Sequence, residues 1–378
     1  MRGGRHALTR AAMLFPPDAC PRIVVKIGSA LLVDAEGGVR RAWLEGIAAD
    51  IAERARAGQQ VAVVSSGAIA LGARRLGLAK GGRASLEDAQ AAAATGQIAL
   101  GHTWAEVLGG EGLTAAQILV TLDDLEDRRR YLNAAATLGR LLQLGVVPII
   151  NENDTVATAE IRFGDNDRLA ARVAQAAGAQ GVVLLSDIDG LYDRNPALPG
   201  ARHIARVERI DARIAGMADD GSASGMGSGG MVSKIQAARI AGRAGVALAI
   251  ASGRIERPLS AEARHTIFVP ERRARARKAW LAGRLTAKGV ITVDAGAAQA
   301  LAGGRSLLAA GATGVTGRFA RGDVVTIEGP EGAAARGLAE YDAADVTRLL
   351  GRRSDEQEAI LGYAPRAALV HRNHMALL

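Results

Sequence analysis

The sequence has few of the residues on which several protein classes depend. Its 378 residues include a single cysteine, Cys20, which excludes an intramolecular disulfide framework and fits a reducing cytoplasm. Aromatic residues make up 3%, so platforms for stacking the bases of single-stranded nucleic acid are scarce. No apolar run approaches the ~20 residues that a membrane-spanning helix needs. These absences predict a cytoplasmic globular protein without membrane partners, whose core is built from Ala, Val, Leu and Ile.

The positive charge of the chain is confined to two short segments. The net charge of +8 would by itself favour nucleic-acid binding. However, residues 1–22 carry +3 and residues 271–288 carry +6, whereas residues 23–270 are neutral and residues 289–378 carry −1. Because the excess charge lies outside the predicted folded parts, we do not expect RNA to be a partner.

Changes in composition predict two folded domains and two other segments. Residues 1–21 lack the pattern of a secretory signal and are expected to form a disordered extension, in which Met13 is an alternative start to Met1. Residues 22–270 alternate apolar runs with amphipathic helical stretches, which predicts an α/β domain with a mostly parallel sheet sandwiched by helices. The remaining segments are a basic linker at residues 271–288 and a small β-rich domain at residues 289–373.

Apolar runs that end in glycine or polar residues mark the predicted strands. The predicted strands cover residues 23–27, 61–64, 115–120, 146–150, 182–185, 246–251, 290–293, 314–319 and 324–327. Apolar residues at helical spacing predict helices at residues 43–57, 127–144, 166–177 and 231–244. A further long Ala-rich helix is predicted to begin after Ser85, which has Asp88 three residues later as in a capping box.

Polar residues follow four of the predicted strands in the first domain. In an open parallel sheet, ligands bind outside the carboxyl ends of the strands. Each polar set alone would be ordinary turn chemistry, but four sets at one edge favour a shared binding site. The sets are Lys26 with Gly28 and Ser29, Ser65 to Gly67, Asn151 to Asp154, and Ser186 with Asp187.

A glycine-rich stretch at residues 224–234 is the most informative motif in the chain. It contains a G-x-G-x-x-G, but no strand precedes it and no acidic residue ends the next strand, which argues against dinucleotide binding. It also lacks the Gly-Lys-Ser/Thr of a Walker A loop. Its backbone N–H groups enter a predicted helix and suit phosphate, the alternative being a flexible surface loop. Lys234 lies about one turn inside this helix, where it can reach a transferring phosphoryl group.

Lysine is rare in this sequence. Only five of the 47 basic residues are lysine, and two of these, Lys26 and Lys234, lie in the motifs that suit phosphate. An ammonium group is a compact point charge, unlike the planar guanidinium of arginine. We therefore predict that these two positions require lysine for a chemical reason.

In this order, the motifs resemble the amino acid kinase superfamily and most closely its bacterial glutamate 5-kinase family. The resemblance covers about residues 22–370, and residues 293–325 look like the PUA domain that many members carry. This sequence has Ser29 and Ala30 where Thr and Ser are usual, and Ser186 where Thr is usual. The matching motifs are VVKIGS (24–29), SSGAIALG (65–72), LEDRRRYLNA (125–134), VVPIINENDTVAT (146–158), IRFGDNDRLA (161–170), VVLLSDIDGLY (182–192) and GSGGMVSKIQAA (227–238).

The resemblance implies that ATP phosphorylates the γ-carboxylate of L-glutamate to give L-glutamyl 5-phosphate, the first step of proline biosynthesis. A carboxylate is already ionised at pH 7 and needs no general base, and the six histidines lie outside the motifs. Catalysis then depends on alignment and charge neutralisation. Lys26 and Lys234 are expected to stabilise the phosphoryl group in flight, and Asp187 to hold both lysines in place.

The resemblance also assigns binding residues. Asp154 suits the α-ammonium of glutamate, Ser66 suits a carboxylate, and Asn166 completes the glutamate set. Asp165 and Asp167 are candidates to assist Mg²⁺ or simply to cap the helix that begins there, so the metal ligands stay open. The expected ATP-binding residues are Lys26, Ser186, Asp187, Ser228, Gly229, Gly230, Met231, Val232, Ser233 and Lys234.

Several partners follow from the resemblance alone. ATP is expected as co-substrate with Mg²⁺, proline as feedback inhibitor, glutamate-5-semialdehyde dehydrogenase as a partner enzyme, and the chain itself as a homo-oligomer.

Two alternative functions remain open. Acetylglutamate, aspartate and uridylate kinases share the fold and the lysines, but lack the NENDTVAT block combined with a PUA domain. An RNA-binding protein that acts through the PUA-like domain is the other alternative. The charge of −1 on residues 289–378 argues against it, because phosphate contacts dominate nucleic-acid affinity.

Overall fold

The computed structural model describes residues 14–34, 38–156, 165–218, 230–270, 286–363, 366 and 368–378, with the backbone alone for Asp165. The chain divides into two compact units. The first unit comprises Met1–Glu126 and Ala134–Pro270, and the second comprises Asp127–Asn133 and Glu271–Leu378.

An eight-stranded sheet forms the centre of the first unit. The strands described in this unit are β1 (Arg22–Ile27), β2 (Gln60–Ser65), β3 (Ala115–Val120), β4 (Val147–Glu152), β5 (Gly181–Ser186), β6 (Leu191–Tyr192), β7 (His203–Ile204), β8 (Arg206–Val207), β9 (Ala247–Ser252) and β10 (His265–Phe268). The sheet order is β3-β4-β2-β1-β5-β9-β10-β8, while β6 pairs with β7. The six strands from β3 to β9 in this order are parallel, and β10 runs antiparallel to β9. The predicted α/β fold with a mostly parallel sheet is confirmed.

Helices connect the parallel strands. They are α1 (Ser29–Leu32), α2 (Arg41–Arg56), α3 (Ala68–Leu76), α4 (Leu86–Gly110), α5 (Leu122–Glu126), α6 (Arg128–Gln143), α7 (Asp165–Ala177), α8 (Ala212–Gly216) and α9 (Met231–Arg243). The Ser85 side chain caps α4 by accepting from the Asp88 amide at 3.1 Å, as predicted. Strand β5 is buried along its whole length, as expected for a central parallel strand covered on both faces.

Helices α3 and α4 cross at two glycines. A Cβ atom on Gly72 would lie 1.8 Å from the carbonyl oxygen of Ala92, and one on Gly96 would lie 1.8 Å from that of Ala68. Only glycine permits this backbone approach. The crossing therefore fixes how far α4 lies from the beginning of α3. Helix α3 itself comes directly after β2.

Residues 14–21 pack against the first unit. Leu14 and Phe15 contact its apolar core and Cys20 is buried. The carbonyl oxygens of Leu14, Phe15 and Cys20 accept hydrogen bonds from two buried side chains, those of Arg54 and Gln59. The expectation of a disordered extension up to residue 21 is therefore corrected for residues 14–21, and residues 1–13 lie outside the described part.

These contacts predict a measurable contribution to stability. Compared with a protein that lacks residues 1–13, one that lacks residues 1–21 is expected to have a free energy of unfolding lower by about 2–3 kcal/mol, because the Gln59 amide loses its carbonyl acceptors and Arg54 loses two of its four. Urea unfolding of the two truncated proteins measures the difference. Equal midpoints and slopes would mean that these carbonyl contacts contribute nothing.

The second unit contains a separate five-stranded sheet. Its strands are β11 (Gly289–Val293), β12 (Ala312–Gly317), β13 (Val324–Gly329), β14 (Gly332–Leu338) and β15 (Met375–Leu377), in the order β12-β11-β13-β14-β15. The helices described in this unit are α10 (Ala295–Ala302), α11 (Ala343–Leu349) and α12 (Gln357–Leu361). The predicted β-rich C-terminal domain is confirmed. In neither unit do the described residues include a helix long and apolar enough to cross a membrane.

Candidate active site

Side chains at the carboxyl ends of β1, β2 and β4 meet residues of α7 and α9. Lys26 lies near the end of β1, Ser66 follows β2, and Asn151 lies near the end of β4. Asn166 and Asp167 come from the first turn of α7, and Lys234 from the first turn of α9. Parallel strand order brings these distant segments together at one sheet edge.

Asp167 bridges the two lysines. Its Oδ1 lies 2.6 Å from Nζ of Lys26, and its Oδ2 lies 3.1 Å from Nζ of Lys234. All three side chains are buried. One carboxylate thus holds two ammonium groups side by side, which leaves a net positive charge at the centre of the site.

Burial and charge together set the pKa values of this cluster. Burial lowers the pKa of Lys26, the Lys234 charge lowers it further, and Asp167 opposes both effects. Burial raises the pKa of Asp167, but the two lysines outweigh it and hold that pKa below its usual range. Asp167 is therefore ionised at neutral pH.

The expectation that Asp187 holds the lysines is corrected by this geometry. Both described ion pairs to the lysines come from Asp167. Asp187 instead accepts a hydrogen bond from Ser186 Oγ at 3.0 Å and lies 3.8 Å from Arg254. Its carboxylate adds only a weaker electrostatic attraction on Lys26.

A chain of side-chain hydrogen bonds connects Ser66 and Asn166 with Asn151, which belongs to the predicted polar set after β4, and with Gln97, which no predicted motif includes. Asn166 Nδ2 donates to Ser66 Oγ at 2.6 Å and to Asn151 Oδ1 at 3.3 Å. Asn151 Nδ2 donates in turn to Gln97 Oε1 at 2.8 Å. Gln97 lies on α4, one residue after the glycine that contacts α3. Two of the three expected glutamate-binding residues, Ser66 and Asn166, are thus in direct contact.

Asp154, the third of these residues, lies just beyond β4, where Glu152, Arg83 and Arg168 are nearby charged groups. Burial raises the pKa of Asp154 to about 6, and Arg83 opposes this shift. Burial, helped by the charge of Asp154, raises the pKa of Glu152 to about 7. Two carboxyl groups that are costly to ionise without a partner suit a cationic ligand group.

The residues expected to bind ATP are only partly described. Gly230 precedes α9, and Met231, Val232, Ser233 and Lys234 form its first turn, with Val232 exposed and Lys234 buried. The N–H groups of Ser233 and Lys234 donate to the carbonyl oxygen of Gly230. Within this turn, the N–H groups of Met231 and Val232, at the very beginning of the helix, are therefore the ones that suit phosphate oxygens. Ser228 and Gly229 lie outside the described residues, as does the Asp165 side chain.

The central role of Asp167 had a signal in the sequence. Asp167 shares a helix face with Ala170, Ala171 and Ala174, all buried. A carboxylate on the apolar face of a helix needs a buried cation, and in a sequence with five lysines the candidates were few. By contrast, Gln97 lies within an Ala-rich helix where nothing local marks it as part of a site.

Comparisons with known proteins show the family to which this chain belongs. The model of the amino acid kinase family matches residues 21–252, and that of the PUA domain matches residues 289–361. A glutamate 5-kinase from Sphingopyxis alaskensis is 78% identical over 97% of this chain and 100% of its own length. The glutamate 5-kinases of Novosphingobium aromaticivorans (62% identical, over 98% of this chain and 100% of that protein) and Zymomonas mobilis (60%, over 97% and 93%) are similar throughout. This chain therefore belongs to the amino acid kinase family and, within it, to the glutamate 5-kinases.

Proposed function

We propose that this chain transfers the γ-phosphoryl group of ATP to the γ-carboxylate of L-glutamate, forming L-glutamyl 5-phosphate and ADP for proline biosynthesis. The observation that carries this proposal is the pair of buried lysines held by Asp167 directly beside Asn166 and Ser66. Two ammonium groups that share one carboxylate leave a net positive charge beside neutral hydrogen-bonding groups. Such a centre suits a reaction in which one anion attacks another.

The chemistry needs charge neutralisation more than proton transfer. The attacking carboxylate is ionised at neutral pH, and a loose phosphoryl transition state requires little beyond alignment and stabilisation of its equatorial oxygens. Lys26 and Lys234 supply that stabilisation in a buried setting, where a fixed charge acts more strongly than in water. Asp167 orients both without contacting the reacting groups.

ATP is proposed to lie across the ends of β5 and α9. Ser186 is the last residue of β5 and Asp187 follows it, and the beginning of α9 directs its N–H groups towards the phosphates. Mg²⁺ binds mainly through the phosphates plus one or two carboxylates. Asp187, with its side chain 43% exposed, fits this role better than Asp167, which is fully buried between the lysines.

Asp154 is proposed to bind the α-ammonium of glutamate. Only the ionised form of Asp154 attracts a cation, and its pKa of about 6 means that protonation competes with substrate binding. We therefore expect the KM for glutamate to rise by up to about tenfold per pH unit as the pH falls below 6. The KM for ATP is expected to change by less over the same range.

The variant Asp154→Asn provides the matched test. It should raise the KM for glutamate by roughly 10²-fold, the loss expected for a charge-assisted contact, and remove most of its acid dependence. The KM for ATP should stay within about threefold. A comparable loss for both substrates would instead assign Asp154 a structural role in the turn after β4.

A substrate panel tests the proposed reaction itself. Purified protein, MgATP and hydroxylamine are incubated with L-glutamate, N-acetyl-L-glutamate or L-aspartate, and the hydroxamate that forms from an acyl phosphate is measured. The proposal predicts efficient hydroxamate formation from glutamate alone. Preference for N-acetylglutamate, which lacks the ammonium group, would remove Asp154 from its assigned role and favour a different kinase of the family.

The inhibitor, the partner enzyme, the assembly and the location are proposed from the same resemblance to the glutamate 5-kinases. Proline is the proposed feedback inhibitor, glutamate-5-semialdehyde dehydrogenase the proposed partner, a homo-oligomer the proposed assembly, and the cytoplasm the proposed location.

A further inference from the structure

We infer that Gln97 is a positioning residue for a carboxylate group of glutamate. The side-chain amides of Gln97, Asn151 and Asn166 form a chain of hydrogen bonds, and Gln97 acts by allowing all of these bonds to reverse their donor–acceptor direction. This inference rests on the proposed binding of glutamate beside Ser66 and Asn166. Gln97 itself lies at the buried end of the chain of hydrogen bonds, away from the expected substrate contacts.

The observed hydrogen bonds all have the same polarity. Each amide donates through its nitrogen towards Gln97, so that Asn166 donates to Asn151, and Asn151 donates to Gln97. An amide has a donor end and an acceptor end, so the direction of one bond dictates the direction of the next. The chain therefore has only two self-consistent arrangements, the observed one and its reverse.

The observed arrangement leaves one buried atom unpaired at each end. Among the described residues, Gln97 Nε2 and Asn166 Oδ1 are buried and have no hydrogen-bond partner. Gln97 is only 8% exposed, so water contributes little at its end of the chain. The unpaired atom at the Asn166 end is the acceptor Oδ1. This arrangement therefore suits an empty site or a cation, but not a carboxylate, which is itself an acceptor.

When all three amides turn over, the number of hydrogen bonds in the chain stays the same. At Gln97 and Asn166, the other atom of each amide becomes the unpaired one. Gln97 Nε2 would donate to Asn151 Oδ1, Asn151 Nδ2 would donate to Asn166 Oδ1, and the Ser66 hydroxyl would donate to the same oxygen. Both N–H groups of Asn166 would then be available to an anion. A carboxylate at this end forms charge-assisted hydrogen bonds with them, which makes the reversed arrangement the stable one in the complex.

Gln97 makes reversal feasible because its amide can serve either arrangement. It accepts from Asn151 in the observed arrangement and would donate to it in the reverse. The contact of the neighbouring Gly96 with the backbone of Ala68 holds α4 at the distance this hydrogen bond requires. A residue at position 97 that only accepts would lock the chain in the arrangement that disfavours a carboxylate.

The direct test is the side-chain NMR signal of Gln97. Protein labelled with ¹⁵N at glutamine side chains is titrated with L-glutamate, the Gln97 signal is assigned by its absence in Gln97→Met, and calorimetry on the same sample measures binding. We expect one Gln97 amide proton to shift downfield and to exchange more slowly with water at saturation. Calorimetric binding with an unchanged Gln97 signal would overturn the inference, whereas absence of glutamate binding would overturn the proposed function instead.

Two variants provide a kinetic test with a readout that a packing role would not produce. Gln97→Met, of similar size but without donor or acceptor, is expected to raise the KM for glutamate roughly tenfold and leave the KM for ATP within about twofold. Gln97→Glu, which only accepts when ionised, is expected to raise the glutamate KM further. Equal changes in both KM values, or a glutamate KM unaffected by Gln97→Met, would contradict the positioning role.

Discussion

Replacement of Asp167 by Asn is expected to lower kcat by roughly 10³-fold, the largest effect on activity that the structure predicts. Asn preserves the size of the side chain but removes the charge that holds two buried ammonium groups at 2.6 Å and 3.1 Å. Breaking a buried ion network by removing one partner leaves the remaining charges uncompensated. Both lysines then lose their fixed positions, and Lys26 loses the carboxylate that opposes the lowering of its pKa by burial.

The pH dependence of this variant provides a second readout. Burial already lowers the pKa of Lys26, and the Asp167 carboxylate opposes that effect. Removing the carboxylate lowers the lysine pKa further, so the protonated form is lost at a lower pH. The alkaline limb of the kcat profile should therefore shift to lower pH in Asp167→Asn. In Asp187→Asn, the alkaline limb of the kcat profile should shift little. An equal shift of the limb in both variants would mean that Asp187 holds the lysines.

Lys234→Ala is expected to lower kcat by roughly 10²–10³-fold with the fold intact, which is the scale of losing one preorganised charge stabiliser. Lys234→Arg should also be strongly impaired, because the planar guanidinium is larger and cannot occupy the same position beside Asp167. Single-turnover kinetics of both variants measure the transfer step, and thermal unfolding measures the fold.

The exposed Lys288 offers a matched control. Its side chain is 58% exposed and pairs with Asp323 in the second unit. Lys288→Arg should therefore leave kcat unchanged. Near-normal turnover in Lys234→Arg would show that any cation suffices at position 234.

The strands of the first unit were predictable because each is a short apolar run with a clear end. The run at residues 115–120 coincides with β3, and that at residues 182–185 lies within β5. The antiparallel strand β10 was missed, because His265–Phe268 lacks a continuous apolar run and is defined by its pairing with β9 and β8. Similarly, the packing of residues 14–21 depends on acceptors for Arg54 that composition does not reveal.

The candidate site was predictable at its strand ends and less so at its helices. Lys26 was predictable from its place near the end of a predicted strand, and Ser66 and Asp154 from their places after predicted strands. Lys234 was predictable from the glycine-rich stretch before it. Whether Asp167 or Asp187 contacts the lysines depends on how α7 packs against β1 and α9, which sequence spacing does not determine. The contact of Gln97 with Asn151 depends on the helix crossing at Gly72 and Gly96, a feature of three-dimensional packing.

The central claim is that a glutamate carboxylate oxygen attacks the γ-phosphorus of ATP at this site. L-glutamate labelled with ¹⁸O in its γ-carboxylate is incubated with the protein, MgATP and hydroxylamine, and the released phosphate is examined by ³¹P NMR. Attack by the carboxylate places one labelled oxygen between carbon and phosphorus, and hydroxylamine then expels phosphate by breaking the carbon–oxygen bond. The account predicts phosphate that carries one ¹⁸O atom per molecule. Release of phosphate without ¹⁸O would mean that water, not glutamate, receives the phosphoryl group, and would contradict the account.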